Sequence, residues 1–171
     1  MKKVLPGLLA ALLLLSSCGY NAIMYDHLSD EANYYTYQVR LLKAYYYDVD
    51  AREEISVLPP ADIDITELPK VLLRVSETLD PSASESSEPE NQWDEFSAQL
   101  TKENCQILAE NGFFEDIAPE EVFEIRYSPF IYMDGEFFFV AEVVYNGKTY
   151  LDFDTGLSNI IKMMDGNRTL L

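Results

Sequence analysis

The sequence predicts a mainly β domain with two short helices: a small Greek-key barrel extended at its C-terminus by a hairpin and a helix. Three observations carry this expectation. Tyr34 to Tyr47 is a 14-residue run rich in β-formers. Asp134-Gly135 and Asn146-Gly147 are both two-residue hairpin signals, which favour positive φ at both positions. Only two stretches, after Thr101 and after Thr155, space their apolar residues as a helix does.

Within the first run, Tyr35, Tyr37, Val39 and Leu41 share one face at period two, and Thr36, Gln38 and Arg40 the other. A strand this long predicts a bend or bulge within it. Residues 48–70 read as irregular, because Pro59, Pro60 and Pro69 limit pairing. Val71, Leu73 and Val75 then alternate with Leu72 and Arg74 as a second strand. Residues 80–92 interleave Ser82, Ser84, Ser86 and Ser87 with Glu85, Glu88 and Glu90 between Pro81 and Pro89, which reads as a mobile acidic loop.

Phe96, Ala98 and Leu100 alternate with Glu95, Ser97 and Gln99, predicting a third strand; a helix starting near Trp93 is the alternative. Thr101 is placed to cap a helix through Asn111, with Cys105, Leu108 and Ala109 turned toward the core and Gly112 ending it in a left-handed conformation. Phe123, Ile125 and Tyr127 mark a strand expected to break near Pro129 and resume through Met133. The two turn signals then connect strands at about 130–133, 136–145 and 148–153. A closing helix runs from Thr155 to Met164, with Gly166 beyond its end.

A long bent strand, two further strands, a short helix and a meander make an order that resembles the OB-fold, a small Greek-key barrel with a helix between its third and fourth strands. The resemblance is topological, covers Tyr34 to Tyr145 and carries no functional residue across. The insertion at 48–70, the extra C-terminal strand and the final helix depart from the minimal pattern.

The N-terminus speaks more directly. Lys2 and Lys3 precede an apolar stretch from Val4 to Leu15. Twelve helical residues rise about 18 Å, against a hydrocarbon core of roughly 30 Å, so the stretch is too short to span and reads as the h-region of an export signal. It ends in Leu15-Ser16-Ser17-Cys18, which resembles the lipobox of bacterial lipoproteins. That resemblance implies a diacylglyceryl thioether on Cys18 and cleavage between Ser17 and Cys18 by signal peptidase II. Two acyl chains anchor stably where one does not, so the expected location is the extracytoplasmic face of the cell membrane. The chain as a whole looks like the small lipoproteins of Gram-positive bacteria, which offer no activity to transfer. Residues 1–17 are then signal, 18–33 a flexible tether of at most roughly 50 Å, and 34–171 a single domain.

Removing Lys2 and Lys3 leaves 10 basic against 30 acidic residues, a balance of −20 over 154 residues. Such a surface repels phosphate backbones, which excludes nucleic acid as a partner. With Cys18 lipidated, Cys105 is the one remaining thiol, so no intramolecular disulfide forms, and its placement reads as a small buried apolar residue.

No G-x-S-x-G, H-E-x-x-H, P-loop or G-x-G-x-x-G motif is present, and His27, the single histidine, falls in the expected tether. No catalytic residue, cofactor or metal site is therefore assigned. Asp48/Asp50, Asp62/Asp64 and Asp152/Asp154 each place two carboxylates on one face of an extended strand, but none completes a calcium loop, and solvated strand faces account for them. Tyr34, Tyr35, Tyr45, Tyr46, Tyr47 and Tyr132 are the candidate ligand-binding aromatics; packing within the sheet is the competing role. The expectation is a non-enzymatic, membrane-anchored module that binds a protein, peptide or glycan. An envelope hydrolase working with paired carboxylates, or a structural subunit of an envelope complex, is the alternative.

Overall fold

The computed structural model describes residues 22–58, 64–65, 68, 70–77, 95–132 and 135–168. Residues 22–28 are helical (α1), and a 3-10 turn over Glu31–Asn33 leads into β1, Tyr35–Asp48. There follow β2 (Glu53–Ser56), β3 (Val71–Glu77), β4 (Phe96–Leu100), α2 (Lys102–Glu110) and α3 (Phe113–Asp116). The chain then runs through β5 (Val122–Tyr132), β6 (Gly135–Tyr145), β7 (Lys148–Leu151) and α4 (Phe153–Arg168).

The seven strands of the described residues form one sheet, in the order β2-β1-β3-β4-β6-β5 with β7 on β6, and β1 also pairs with β5. With β2 and β7 set aside, the other five strands close on themselves in a barrel-like ring. The β4–β6 pairing is parallel; the rest are antiparallel. One long strand serves three neighbours, β2, β3 and β5, because it bends: the register of β1 against β3 slips between Leu41 and Lys43, leaving Leu42 unopposed. A second bulge, opposite Arg126 and Tyr127, leaves Ala141 extra in β6.

The ring encloses a core of Val39, Leu41, Leu73, Val75, Ala98, Ile125, Val140 and Val143, closed at one end by Leu108, Phe113 and Phe114 from α2 and α3. A second core lies outside the ring, where Phe139 and Ala141 of β6 and Phe130 of β5 meet Met24, Leu28, Tyr34, Phe153, Leu157, Ile160 and Met164. Glycine decides how closely α4 sits. A Cβ on Gly156 would lie 1.9 Å from the Ala141 carbonyl oxygen, so only glycine lets the helix touch the strand there. A buried amide pair braces the contact: Asn104 Nδ2 donates to Val140 O and Gly156 O, and Asn159 Nδ2 donates to Asn104 Oδ1.

The mainly β architecture, the bulged first strand, the helix capped by Thr101 (whose side chain accepts from Asn104 N) and the Asn146-Gly147 turn (φ 51° and 75°) are as the sequence predicts. Gly112, at φ 79°, ends α2 as expected and opens the short α3, which the sequence did not announce.

Five expectations are corrected. Residues 22–33 are no tether: Leu28 is fully buried and Met24 nearly so. The stretch 48–70 holds a strand, β2, paired to the end of β1. No break occurs at Pro129, which pairs with Phe138 in a continuous β5; its carbonyl points to His27. Its missing N–H lies on the same edge, away from β6, and costs the ladder nothing. The β5–β6 hairpin pairs Tyr132 with Gly135, so its connecting positions are 133 and 134 rather than Asp134-Gly135. Finally, α4 extends past both of its expected ends, from Phe153 to Arg168, and Gly166 lies inside it. Residues 1–21 and the acidic loop at 80–92 lie outside the described residues.

Candidate functional site

A groove of about 470 Å³ crosses the outer face of β3 and β4 and enters the seam between β4 and β6. Alternation along β3 sends Leu72 and Arg74 outward while Val71, Leu73 and Val75 fill the core; β4 does the same with Ser97 and Gln99. Glu95, just ahead of β4, and Glu136, at the start of β6, stand at the rim, with Phe96 and Phe138 beneath them. The seam opens because β4 and β6 pair only at Ala98–Phe138 and Gln99–Phe139.

Aromatic rings continue the floor into the barrel. Phe96 lies 4.7 Å from Phe138 and 5.0 Å from Tyr127, centroid to centroid, and Tyr127 lies 5.4 Å from Tyr37. Such separations are those of favourable edge and tilted ring pairs. Tyr37 ends the series, 38% exposed. One flank is electrostatic. Glu54 of β2 accepts from Lys43 Nζ (3.2 Å) on one oxygen and from Arg74 Nη2 (3.0 Å) on the other. Both cations also lie over the Tyr45 ring, at 5.2 and 5.3 Å. Tyr45 Oη is hydrogen-bonded to Ser97 Oγ at 3.0 Å, which pins a tyrosine, an arginine and a serine at one side of the groove. Together the lining offers carboxylate acceptors, guanidinium and amide donors and an apolar floor, which suits a ligand rich in hydroxyls or amides more than a charged one.

The tyrosines singled out from the sequence are not gathered into one surface. Tyr34 is buried: its hydroxyl donates to Leu28 O (2.9 Å), its ring meets Phe153 edge-on, and burial pushes its pKa well above the ordinary tyrosine value. Tyr46 packs partly against the barrel core. Tyr35 and Tyr47 are about half exposed but stand at opposite ends of β1. The side chain of Tyr132 lies outside the described residues. Among those whose side chains are described, only Tyr45 reaches the groove's flank, and it does so as a buried support.

The acidic pairs serve the backbone. Asp48 Oδ1 accepts from Asp50 N and Ala51 N in the β1–β2 turn, and Asp152 Oδ1 caps α4 by accepting from Thr155 N; hydrogen bonds from the Thr155 side chain and then its backbone hold the Asp152 carboxyl below the ordinary range. Asp64 is exposed, and Asp62 lies outside the described residues. Among the described residues no three potential ligands gather to hold a metal ion. Cys105 is buried, and desolvation pushes its thiol up to about 12, far from a reactive thiolate. His27 is held rather than loose: its Nε2 lies 2.9 Å from Pro129 O, to which it donates, and 3.1 Å from Ser128 Oγ, and its ring rests on Phe130. At the end of the barrel nearest α3, Tyr150 donates to Asp116 and Tyr145 to Glu121, fastening the chain after α2 to β6 and β7.

Sequence reading missed Arg74, Glu95, Ser97, Gln99 and Glu136, since on alternating strands their polar positions look like any solvated face. Compared with known proteins, the chain matches no family model, no curated protein and no solved structure. The functional reading therefore rests on the groove and on the N-terminal sequence.

Proposed function

We propose that this chain is an exported lipoprotein, held at the extracytoplasmic face of the membrane through a diacylglyceryl group on Cys18, whose barrel-like domain binds an extended polar ligand, a glycan or a peptide. One observation carries the binding half of this reading: the groove over β3 and β4, where Arg74, Ser97, Gln99, Glu95 and Glu136 surround the apolar floor of Phe96 and Phe138. Small Greek-key barrels of this kind take oligosaccharides and oligonucleotides on the equivalent strands and the two loops beside them. The 30 acidic residues leave the saccharide or a neutral peptide as the compatible class.

Calorimetry of the purified protein with cell-wall glycan fragments and with a library of neutral peptides tests it. Binding that weakens in Gln99→Ala and Arg74→Ala, while their folding is unchanged by circular dichroism, supports the groove. Ligands that bind all variants equally place the site elsewhere. A second reading, a hydrolase, draws on the two carboxylates of Glu95 and Glu136 at one rim, and it requires glycan cleavage that Glu95→Gln and Glu136→Gln each abolish.

A further inference from the structure

The helix α1 fixes where the N-terminus leaves the domain. Met24 and Leu28 are buried against α4 and β6, and His27 is bonded to Pro129. Cys18 is four residues from the first residue of α1, and four extended steps reach at most about 14 Å. A lipid on Cys18 therefore brings the α1 end of the domain to the bilayer, whichever way the intervening residues run.

That end of the molecule has the chemistry of an interfacial surface. Beside α1 lies a mostly apolar groove of about 200 Å³ lined by Met24, Leu100, Phe137, Phe139 and Met163, with Lys70 and with Gln99 of β4, a residue it shares with the groove over β3 and β4. Ile23, also on α1, is 50% exposed. Methionine and phenylalanine side chains of this kind adapt to irregular apolar matter, and a lysine beside them is suited to a lipid phosphate. Charge does not select this face, since Asp26 of α1 and Asp154 and Asp165 of α4 are exposed on it beside Lys162; the position of the anchor and the apolar groove do.

We propose that the face formed by α1, α4 and the adjoining part of β6 lies on the membrane, the apolar groove receiving lipid at the interface and Lys70 meeting a headgroup phosphate. The domain is then oriented by its anchor rather than swinging from it. This inference rests on the lipoprotein reading above, and its test separates the two.

The full chain is expressed in a lipidating bacterium, purified in detergent and reconstituted into vesicles of phosphatidylcholine and phosphatidylglycerol. Single cysteines are introduced as Ile23→Cys in α1 and Val49→Cys in the β1–β2 turn, at the other end of β1, where Val49 is 76% exposed. Each is labelled with an environment-sensitive fluorophore; the buried Cys105 does not compete. The expected result is a blue-shifted emission at position 23, quenched several-fold more strongly by brominated lipid than at position 49, with Lys70→Glu weakening the quenching. Equal quenching at both positions, on protein whose Cys18 lipid is confirmed by mass spectrometry, overturns the orientation and leaves the anchor standing. No lipid on Cys18 overturns both.

Discussion

Replacing Gly156 by alanine tests how α4 is held against the sheet. The added Cβ would lie 1.9 Å from Ala141 O, 2.6 Å from its carbonyl carbon and 2.9 Å from its Cα, all backbone atoms of β6. Restoring ordinary contact at 3.4 Å moves the helix by about 1.5 Å. Neither side yields cheaply: the strand is fixed between neighbours, and Ile160 and Met164 of the same helix are fully packed. The shift also stretches the 3.2 Å bond from Asn104 Nδ2 to Gly156 O beyond hydrogen-bonding distance. Overpacking costs about 1–3 kcal/mol, and a buried polar atom left unpaired about 1–3 kcal/mol more. Better helix propensity returns about 1 kcal/mol. The net loss is about 1–5 kcal/mol, centred on about 3 kcal/mol, a large share of an ordinary domain's roughly 5–15 kcal/mol. Urea unfolding followed by circular dichroism should show the midpoint falling by about 1–2 M. Gly166→Ala is the control: nothing lies within 4 Å of its added Cβ, so it gains up to about 1 kcal/mol in the same helix. If Gly156→Ala is as stable as Gly166→Ala, the close approach is not what seats the helix.

Three further outcomes follow from the same structure. Asn104→Ala removes the donor shared by Val140 O and Gly156 O and orphans Asn159, so it should cost about 2–4 kcal/mol by urea unfolding, whereas Asn146→Ala, in the exposed β6–β7 turn, should cost less. Leu28→Ala should cost about 2–5 kcal/mol if residues 22–28 belong to the fold, and close to nothing if they are a tether; thermal unfolding separates these. Hydrogen bonds from Tyr150 and Tyr145 hold the carboxyls of Asp116 and Glu121 below their ordinary values. A depressed folded pKa contributes stability above the unfolded value and loses it as pH falls through the folded one. Stability should therefore drop as pH falls below about 4, and Tyr150→Phe with Tyr145→Phe should flatten that slope in urea titrations at successive pH values.

The strands were legible wherever one face is buried and the other wet. Val71-Leu72-Leu73-Arg74-Val75 and Phe96 to Leu100 alternate because the barrel core takes every second residue. β2 was not legible, since Glu53, Glu54 and Ser56 are exposed and the strand exists by pairing with the end of β1. The docked N-terminus left a fainter trace. Met24 and Leu28 stand four residues apart, one helical turn, and Tyr34 completes the set, yet two apolar residues in a polar stretch do not distinguish a helix from a tether. Pro129 argued for a break because sequence does not say which edge of a strand is open. The groove was least legible of all. Its rim residues come from three strands, and its floor residues Phe96 and Phe138 look like ordinary core until the seam between β4 and β6 is seen.

Residues 137–144, Phe-Phe-Phe-Val-Ala-Glu-Val-Val, explain why the chain needs both of its ends. An apolar run this continuous buries both faces of a strand, not one. Phe138, Val140 and Val143 fill the barrel, and Phe139 and Ala141 face outward, the register adjusted by the bulge at Ala141. The outward set would be an exposed patch on a bare barrel. Here α4 covers it from the C-terminal side and α1 from the N-terminal side, with Phe139 in the groove between Met24 and Met163. The second core thus joins the segment that follows Cys18 to the strand that forms one wall of the groove. Loosening α1 exposes the back of β6, and Phe138 on its other face is the groove floor, so the attachment of the N-terminus and the shape of the groove depend on the same strand.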